Sequence, residues 1–593
     1  MSGAQPQPQR VLLFIHGVRN DDPAAQWRQA LDGALQREGT ASLEERGYRV
    51  LAPSYLQLLE AETVPKGESP PMTYQKGSQE DYERTAGLYW SAVADLERTG
   101  IRGRVSPSRL AGVTADALSE TVIPRLFADA AAYLKSADRR NAIHARVLSA
   151  IPDGADLVII AHSLGSVVAA DLLYLLPREC RLEMLVTIGS PLALPALGQH
   201  LARRRDRFPY ELLSGPWVNV VGRGDLLTGC RGLSPVIPEA LDAFIDTGTG
   251  RSAHTAPRYL QDPTVARALE WLDRRAASRT SAAQPARHLP DLPLSEGMLS
   301  LVIGAQHALR LEQAQQPGER RTRFDQARSL VNQALARALA QAGENEPVLQ
   351  RLSDDNAAFL KDRLDPQAAI DALLAAWTIN PIKPYEIQVP ARERRAALSA
   401  LALDLSVPSA WADTVAEAEQ NARDAHSEDA RRWRRAALAV VGTAVILAAP
   451  WLVIAAAPEA LAGTAAIVAG LSALGPGGML GGVGIVGLLG GAGGAIAAGA
   501  LISGSPREVE LTVIHLQARA LARQKLGQDG SGHLEWTALV AMEDSVTDAH
   551  ARLKLFSDDG APAVQELARK LTSIRRALAW FASRDLAPAQ LNP

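Results

Sequence analysis

The sequence predicts an α/β fold in its N-terminal part, a mostly parallel sheet with flanking helices. An α-helical region with a hydrophobic, glycine-rich transmembrane-like hairpin follows. Three observations lead there. Mostly apolar runs at Val11–Ile15, Leu157–Ala161, Leu182–Ile188 and Trp217–Val221 end in turns of small or polar residues. Such unbroken runs mark strands buried on both faces, the habit of parallel sheets. Beyond residue 297 the chain turns rich in Ala, Leu and Arg with helical periodicity. From Ala436 to Pro506 it carries one charge, Glu459.

At 593 residues the chain is too long for one core and predicts two to four domains. We divide it into 1–275 (α/β), 276–297 (linker), 298–430 (helical), 431–506 (hydrophobic hairpin) and 507–593 (helical). A net charge of −3 gives no global argument for nucleic-acid binding, and none is expected. Two cysteines, Cys180 and Cys230, are too few for a disulfide framework and fit a reducing compartment or packing. The first ten residues are polar and contain no apolar signal-peptide core.

In chain order, Val11–Ile15 reads as a central strand and ends in His16-Gly17-Val18. Residues 22–38 read as the first helix and 48–55 as a second strand. Between 60 and 120 the chain is less regular, with Pro65, Pro70 and Pro71 near Tyr74, Tyr82, Tyr89 and Trp90. A lid or a long loop plus a helix fits equally. Residues 121–150 carry a helical pattern; His144 in it has no partner spacing and reads as structural or exposed.

The chain is organised around Asp156 to Leu173, where an apolar run meets Ala161-His162-Ser163-Leu164-Gly165 and then a helical pattern. This is the nucleophile-elbow pattern G-x-S-x-G with Ala161 in place of the first glycine. The turn is so sharp that the positions two before and two after the serine must be small. The Leu164 N–H, at a helix start, is placed to face a developing oxyanion. The competing reading makes Ser163 an ordinary helix cap.

On these residues, the region from about 8 to 275 resembles the α/β-hydrolase superfamily of serine esterases and lipases. The resemblance implies a second oxyanion donor at the Val18 N–H, with His16 and Gly17 opening its loop. Leu182–Ile188 with Gly189-Ser190-Pro191 resembles the corresponding lipase strand, and Ser190 is read as turn chemistry. Trp217–Val221 runs into Gly222-Arg-Gly224-Asp225, and an acid just past a strand end is where the family places its carboxylate. Asp246 is the rival acid. His254 follows in the chain order Ser, Asp, His of the fold and is the expected general base. The site is thus Ser163, Asp225 and His254, with Val18 and Leu164 as oxyanion donors and His16, Gly17, His162 and Gly165 in support. No metal or cofactor is expected.

Residues 324–340 and 366–377 are the clearest helices of the first helical region, broken at Pro381 and Pro384. After Arg431-Arg432-Trp433-Arg434-Arg435 comes an uncharged run of 22 residues, Ala436–Ala457. At about 1.5 Å per residue it is long enough for a bilayer core of about 30 Å. Residues 461–502 are apolar and glycine-rich, which permits close helix approach in lipid. The flanking arginines put both ends on the cytoplasmic side. Helices are expected at 509–525, 534–554 and 563–583. The Asp529–Glu535 stretch fails a calcium loop, since Leu534 stands where glycine is required.

Together these features predict a serine ester hydrolase associated with a membrane. Lipid is the expected substrate and anchor, as in bacterial lipase effectors or defence proteins, and the inner membrane with a cytoplasmic catalytic domain is the expected location. The alternatives are a membrane-anchored esterase or thioesterase acting on a soluble substrate, and a pore-forming or membrane-remodelling protein with a hydrolase-like domain. The helical regions offer faces for a protein partner or inhibitor.

Overall fold

A computed structural model describes residues 9–17, 26–61, 63–64, 70–71, 73, 77–101, 132–194, 197, 208–229, 231–249, 251–280, 296–341, 364–426, 505–528 and 532–587. The chain forms two compact units that divide after Ala286.

The first unit is built on a six-stranded sheet in the order β2-β1-β3-β4-β5-β6. Its strands are β1 (Arg10–Ile15), β2 (Arg49–Leu51), β3 (Asp156–His162), β4 (Arg181–Ile188), β5 (Trp217–Gly222) and β6 (Ala240–Ile245). Every neighbouring pair is parallel. The apolar runs are buried along nearly their whole length, as a sheet covered on both faces requires. Strand order reverses between β1 and β3, and in open α/β sheets the crevice at such a reversal, at the C-terminal ends of the strands, is where ligands bind. The loops after β1 and β3 open there.

The flanking helices are α1 (Gln26–Arg37), α2 (Leu56–Glu60), α3 (Gln79–Arg98), α4 (Ala137–Leu148), α5 (Leu164–Leu172), α6 (Ala256–Leu260) and α7 (Pro263–Thr280). Several depart from expectation. The second strand is only three residues long, because Pro53 cannot donate to a ladder and α2 starts at Leu56. The first helix starts at Gln26, and residues 18–25 lie outside the described residues. Of the two readings of residues 60–120, a lid or a long loop plus a helix, the described part shows a helix, α3, that belongs to the body of the unit. Ser78 caps α3, and Tyr82, Tyr89 and Trp90 are buried beside Phe208 and Tyr210. Tyr89 OH donates to Glu239 O (2.7 Å) and accepts from Trp217 N (3.1 Å), which ties α3 to the approaches of β5 and β6. The predicted helix over 121–150 is resolved into residues 132–135 and α4. Ser136 interrupts it by capping α4, its Oγ accepting from Arg139 N; residues 102–131 lie outside the described residues. Of the two readings of His144, structural or exposed, the structural one holds: it is buried, its Nε2 2.7 Å from Tyr133 OH, which also donates to Asp171 Oδ2 (2.8 Å). The predicted linker at 276–297 is helical at both ends. Residues 276–280 complete α7, since no proline interrupts that alanine-rich run, and the next helix starts at Glu296.

The second unit contains α8 (Glu296–Gln313), α9 (Glu319–Gln341), α10 (Pro366–Thr378), α11 (Ala391–Asp404), α12 (Ala410–His426), α13 (Pro506–Lys525), α14 (His533–Lys554) and α15 (Pro562–Ala582). The two helical regions of the sequence pack as one body. Arg519 and Arg523 of α13 sit between Asp371 of α10 and Glu535 of α14, all four buried. Arg519 Nε lies 2.8 Å from Asp371 Oδ1 and 3.3 Å from Glu535 Oε1. Among the described residues no helix is long and apolar enough to cross a membrane. Of the predicted membrane hairpin, residues 431–504 lie outside the described residues.

Candidate active site

β3 ends at His162 and the chain turns at once into α5. Ser163 occupies the turn with φ 52° and ψ −124°. Residues other than glycine seldom adopt that backbone, and holding it costs about 1–3 kcal/mol. Neighbouring bonds keep it there. The Ser163 N–H donates to Ile188 O of β4 (3.1 Å), and the N–H and Oγ of Ser166 both donate to Ser163 O (2.9 and 2.6 Å). Ser190 lies 2.8 Å from Ser166 Oγ and accepts from the Leu192 N–H at 3.3 Å, so it serves the turn and braces the elbow.

Small residues around the turn have steric reasons. Ala161 is fully buried between Ile15 and Thr187 of the neighbouring strands. A Cβ on Gly165 would collide with the carbonyl oxygens of Ile15 and His16, so α5 can start this close to β1 only with glycine. A Cβ on Gly17 would stand 2.9 Å from the Ser163 Cβ, so the loop after β1 passes directly beside the serine.

Ser163 stands at the N-cap position of α5, yet its hydroxyl makes no capping bond. It faces His254, whose Nε2 is 2.8 Å from Oγ. His254 Nδ1 is 2.7 Å from Asp225 Oδ2. Asp225 follows β5 and His254 follows β6, so neighbouring strand ends deliver both to the serine. Asp225 Oδ1 accepts from the Leu227 N–H (3.0 Å), and Tyr259 OH donates to Oδ2 (2.5 Å). Burial pushes the Asp225 carboxyl up, but the bonds from His254, Tyr259 and Leu227 outweigh it and leave it below the ordinary carboxylate value. The rival acid Asp246 is exposed and accepts from the Gly248 N–H in a local turn (2.8 Å). The Ser163 residue is 8 % exposed and the His254 side chain 14 %, against 1 % for the Asp225 side chain. The imidazole thus keeps the greatest exposure of the three, and the carboxylate is enclosed by His254, Tyr259 and the Leu227 N–H.

The two supporting histidines do separate work. His162 Nε2 donates to His254 O (2.7 Å), so the residue before the serine holds the backbone of the loop that bears the imidazole. Burial, followed by the nearness of His254, drives His162 down to about 3, which keeps it neutral, and the carbonyl of His254 places its proton on Nε2. His16 is also buried and its pKa falls below the ordinary histidine value despite its bond to Gly17. Its Nδ1 donates to Gly17 O (2.7 Å), its Nε2 accepts from the Tyr55 N–H (3.4 Å), and the Tyr55 ring stacks on it at 4.2 Å. Tyr55 OH donates to His16 O. These bonds clamp the loop that passes the serine. Leu164 is the first residue of α5, where a backbone N–H has no carbonyl acceptor within the helix. Val18 lies outside the described residues.

No protein-family model, curated protein or solved structure matches this chain. The geometry alone therefore carries the functional argument. It also adds groups that the sequence did not mark. Tyr259 had no motif around it, although its place five residues after His254, on the short helix α6 that follows, is a spacing that sequence could have offered. Ser166 braces the elbow from the first turn of α5, and Tyr55, just before α2, reaches the site through its contacts with His16. Among the described residues no cluster of His, Cys, Asp and Glu has the form of a metal site.

Proposed function

We propose that the chain is a serine hydrolase that cleaves carboxylic esters through an acyl-enzyme. The observation that carries this is the unbroken hydrogen-bonded line from Ser163 Oγ through His254 to Asp225, set on a strained strand-to-helix turn. In this reading His254 Nε2 takes the Ser163 proton as Oγ attacks the ester carbonyl. Asp225 holds the Nδ1–H tautomer and stabilises the imidazolium that forms. The Leu164 N–H at the start of α5 receives the oxyanion; the second donor expected from the sequence, the Val18 N–H, lies outside the described residues. The imidazolium then protonates the leaving alcohol. Water, activated by the same imidazole, attacks the acyl group and restores Ser163.

The preferred substrate class is membrane lipid, with the enzyme a membrane-associated lipase or phospholipase. The 22-residue uncharged run at Ala436–Ala457 and the glycine-rich stretch after it support this. So do the helices on either side of that segment. Lys525 of α13 pairs with Glu417 of α12 at 3.5 Å, and Gln517 of α13 lies beside the His426 ring of α12. Moving forward along α12 thus means moving backward along α13: the helices are antiparallel. The chain leaves α12 at His426 and re-enters α13 at Pro506, at one end of the pair. That placement fits a segment that enters and leaves a bilayer on one face.

The test is mass-spectrometric lipid analysis of bacterial phospholipid vesicles incubated with the protein or with Ser163→Ala. Fatty acid and lysophospholipid that appear only with the unaltered protein are the expected products. Turnover of a short-chain ester without any lipid product would instead make this an anchored esterase. No turnover of either, with vesicle leakage that survives Ser163→Ala, would replace the enzyme reading with a pore-forming one.

A further inference from the structure

We infer that Tyr259 is a positioning residue that fixes the orientation and charge distribution of the Asp225 carboxylate facing His254. The inference rests on the serine-hydrolase reading above and names the device that tunes its base.

Three observations carry it. Tyr259 OH donates to Asp225 Oδ2 at 2.5 Å, and Oδ2 is also the atom that receives His254 Nδ1 at 2.7 Å. Two donors therefore share one carboxylate oxygen, while the other oxygen accepts from the Leu227 N–H at 3.0 Å. The phenol is itself held: the Gly222 N–H donates to the Tyr259 oxygen at 3.2 Å. That bond occupies a lone pair of the hydroxyl and leaves its hydrogen directed at Asp225. Finally, the site is shaped for the ring. Tyr259 is fully buried, and a Cβ on Gly222 would stand 2.7 Å from its oxygen and 2.5 Å from Thr247 Oγ1. A Cβ on Gly189, whose φ is +56°, would meet the ring edge at 3.3 Å. Glycine at the end of β5 and just after β4 is what lets the tyrosine reach the acid.

The consequence is electrostatic as well as geometric. The groups around His254 that carry or exchange a proton are Asp225 beyond β5, Ser163 and His162 at the end of β3, and Tyr259 on α6. His162 is neutral, so Asp225 supplies the charge that stabilises the imidazolium. A donor on Oδ2 withdraws part of that charge and so weakens the attraction between the carboxylate and the imidazolium. It also stops the carboxylate from rotating away from Nδ1.

Tyr259→Phe removes the donor and keeps the ring. We expect kcat to fall about tenfold with KM unchanged, and the acidic limb of kcat/KM to move up by about half a unit or more. The upward direction follows because an undiluted carboxylate stabilises the imidazolium. In an Asp225→Asn background the same change should have no further effect on kcat, since Tyr259 acts through the acid. Site-specific 3-fluorotyrosine at position 259, a stronger donor that preserves packing, should move the limb down. It keeps the test open if the phenylalanine variant folds poorly. An unmoved limb in both variants, or a loss that persists in the Asp225→Asn background, would make Tyr259 a packing residue only. If the unaltered protein turns over no ester, the hydrolase reading fails separately. NMR titration of the His254 ring with and without Tyr259→Phe would still decide whether the tyrosine tunes it.

Discussion

Both units of this chain bury charge, and the contrast between them shows what separates a site from a brace. In the helical unit, Asp371, Arg519, Arg523 and Glu535 form two acids and two bases closed on one another, with side chains at most 8 % exposed. Burial pushes the Asp371 carboxyl up to about 6, against the pull of the two arginines. Those charges pair with one another across α10, α13 and α14 and so tie the three helices together. In the sheet unit a buried carboxylate leads through one imidazole, whose side chain is 14 % exposed, to the Ser163 hydroxyl. Ser163, which bears that hydroxyl, is held at φ 52° and ψ −124°. Buried charge is common to both; directed, open-ended charge on a strained turn belongs to one.

The comparison breaks most sharply at Asp225. Asp225→Asn should lower kcat on the order of 10⁴-fold, because the amide cannot hold the Nδ1–H tautomer. Asp246→Asn should leave kcat unchanged. Assaying a short-chain ester with both variants tests the choice of acid. A smaller loss at Asp225 than at Asp246 would overturn it.

In the helical unit the effect should fall on stability instead. Asp371→Ala leaves two buried arginines facing one acid, and removing a partner from a buried ion pair costs about 3–5 kcal/mol. Denaturation followed by circular dichroism should show that loss. Reaction of Ser163 with a fluorophosphonate probe under native conditions should persist. Loss of labelling together with helical stability would mean that the site depends on the helical unit.

A third change sharpens the boundary between brace and site within the sheet unit. Ser190→Ala removes the Ser166 contact and the turn bond to Leu192 without touching His254. A loss of about 1 kcal/mol per bond is expected from thermal melts, with ester turnover retained. A large fall in kcat would move Ser190 from the support of the elbow into the reaction.

The sequence made one side of this contrast readable and concealed the other. Parallel strands buried on both faces appear as unbroken apolar runs, so β1, β3, β4 and β5 could be placed directly. The elbow was readable because its small residues are forced by contact with β1. The candidate site sits at strand ends, and so Ser163, Asp225 and His254 stand just past apolar runs or in a polar loop. Contacts between distant elements leave no such trace. Tyr133 just before α4, His144 on α4 and Asp171 on α5 meet only through tertiary contact. Asp371 lies more than a hundred residues from Arg519 and Arg523, in a pattern that reads as ordinary amphipathic helix. Glycines were read for turns, yet Gly222 is needed because the Tyr259 oxygen occupies the space of its Cβ. A strand-end glycine says that something is close without saying what.

The smallest effect should appear in acid. Asp225 has a folded-state pKa below its unfolded value, so its contribution to stability is fully present above the unfolded value, about pH 4. It is lost as pH falls through the lower folded value. Asp371 runs the other way: its folded value, about 6, lies above the unfolded one, so ionising it costs stability as pH rises from about 4 to 6. Melts of the unaltered protein and Asp225→Asn should therefore differ most above pH 4 and converge below it. The Asp371 contribution should change between pH 4 and 6, where Asp225 is already ionised. Two carboxylates, both buried and both facing cations or donors, would then be told apart by the sign of their pH dependence: the one that serves the imidazole is held charged, and the one that braces the helices resists its charge.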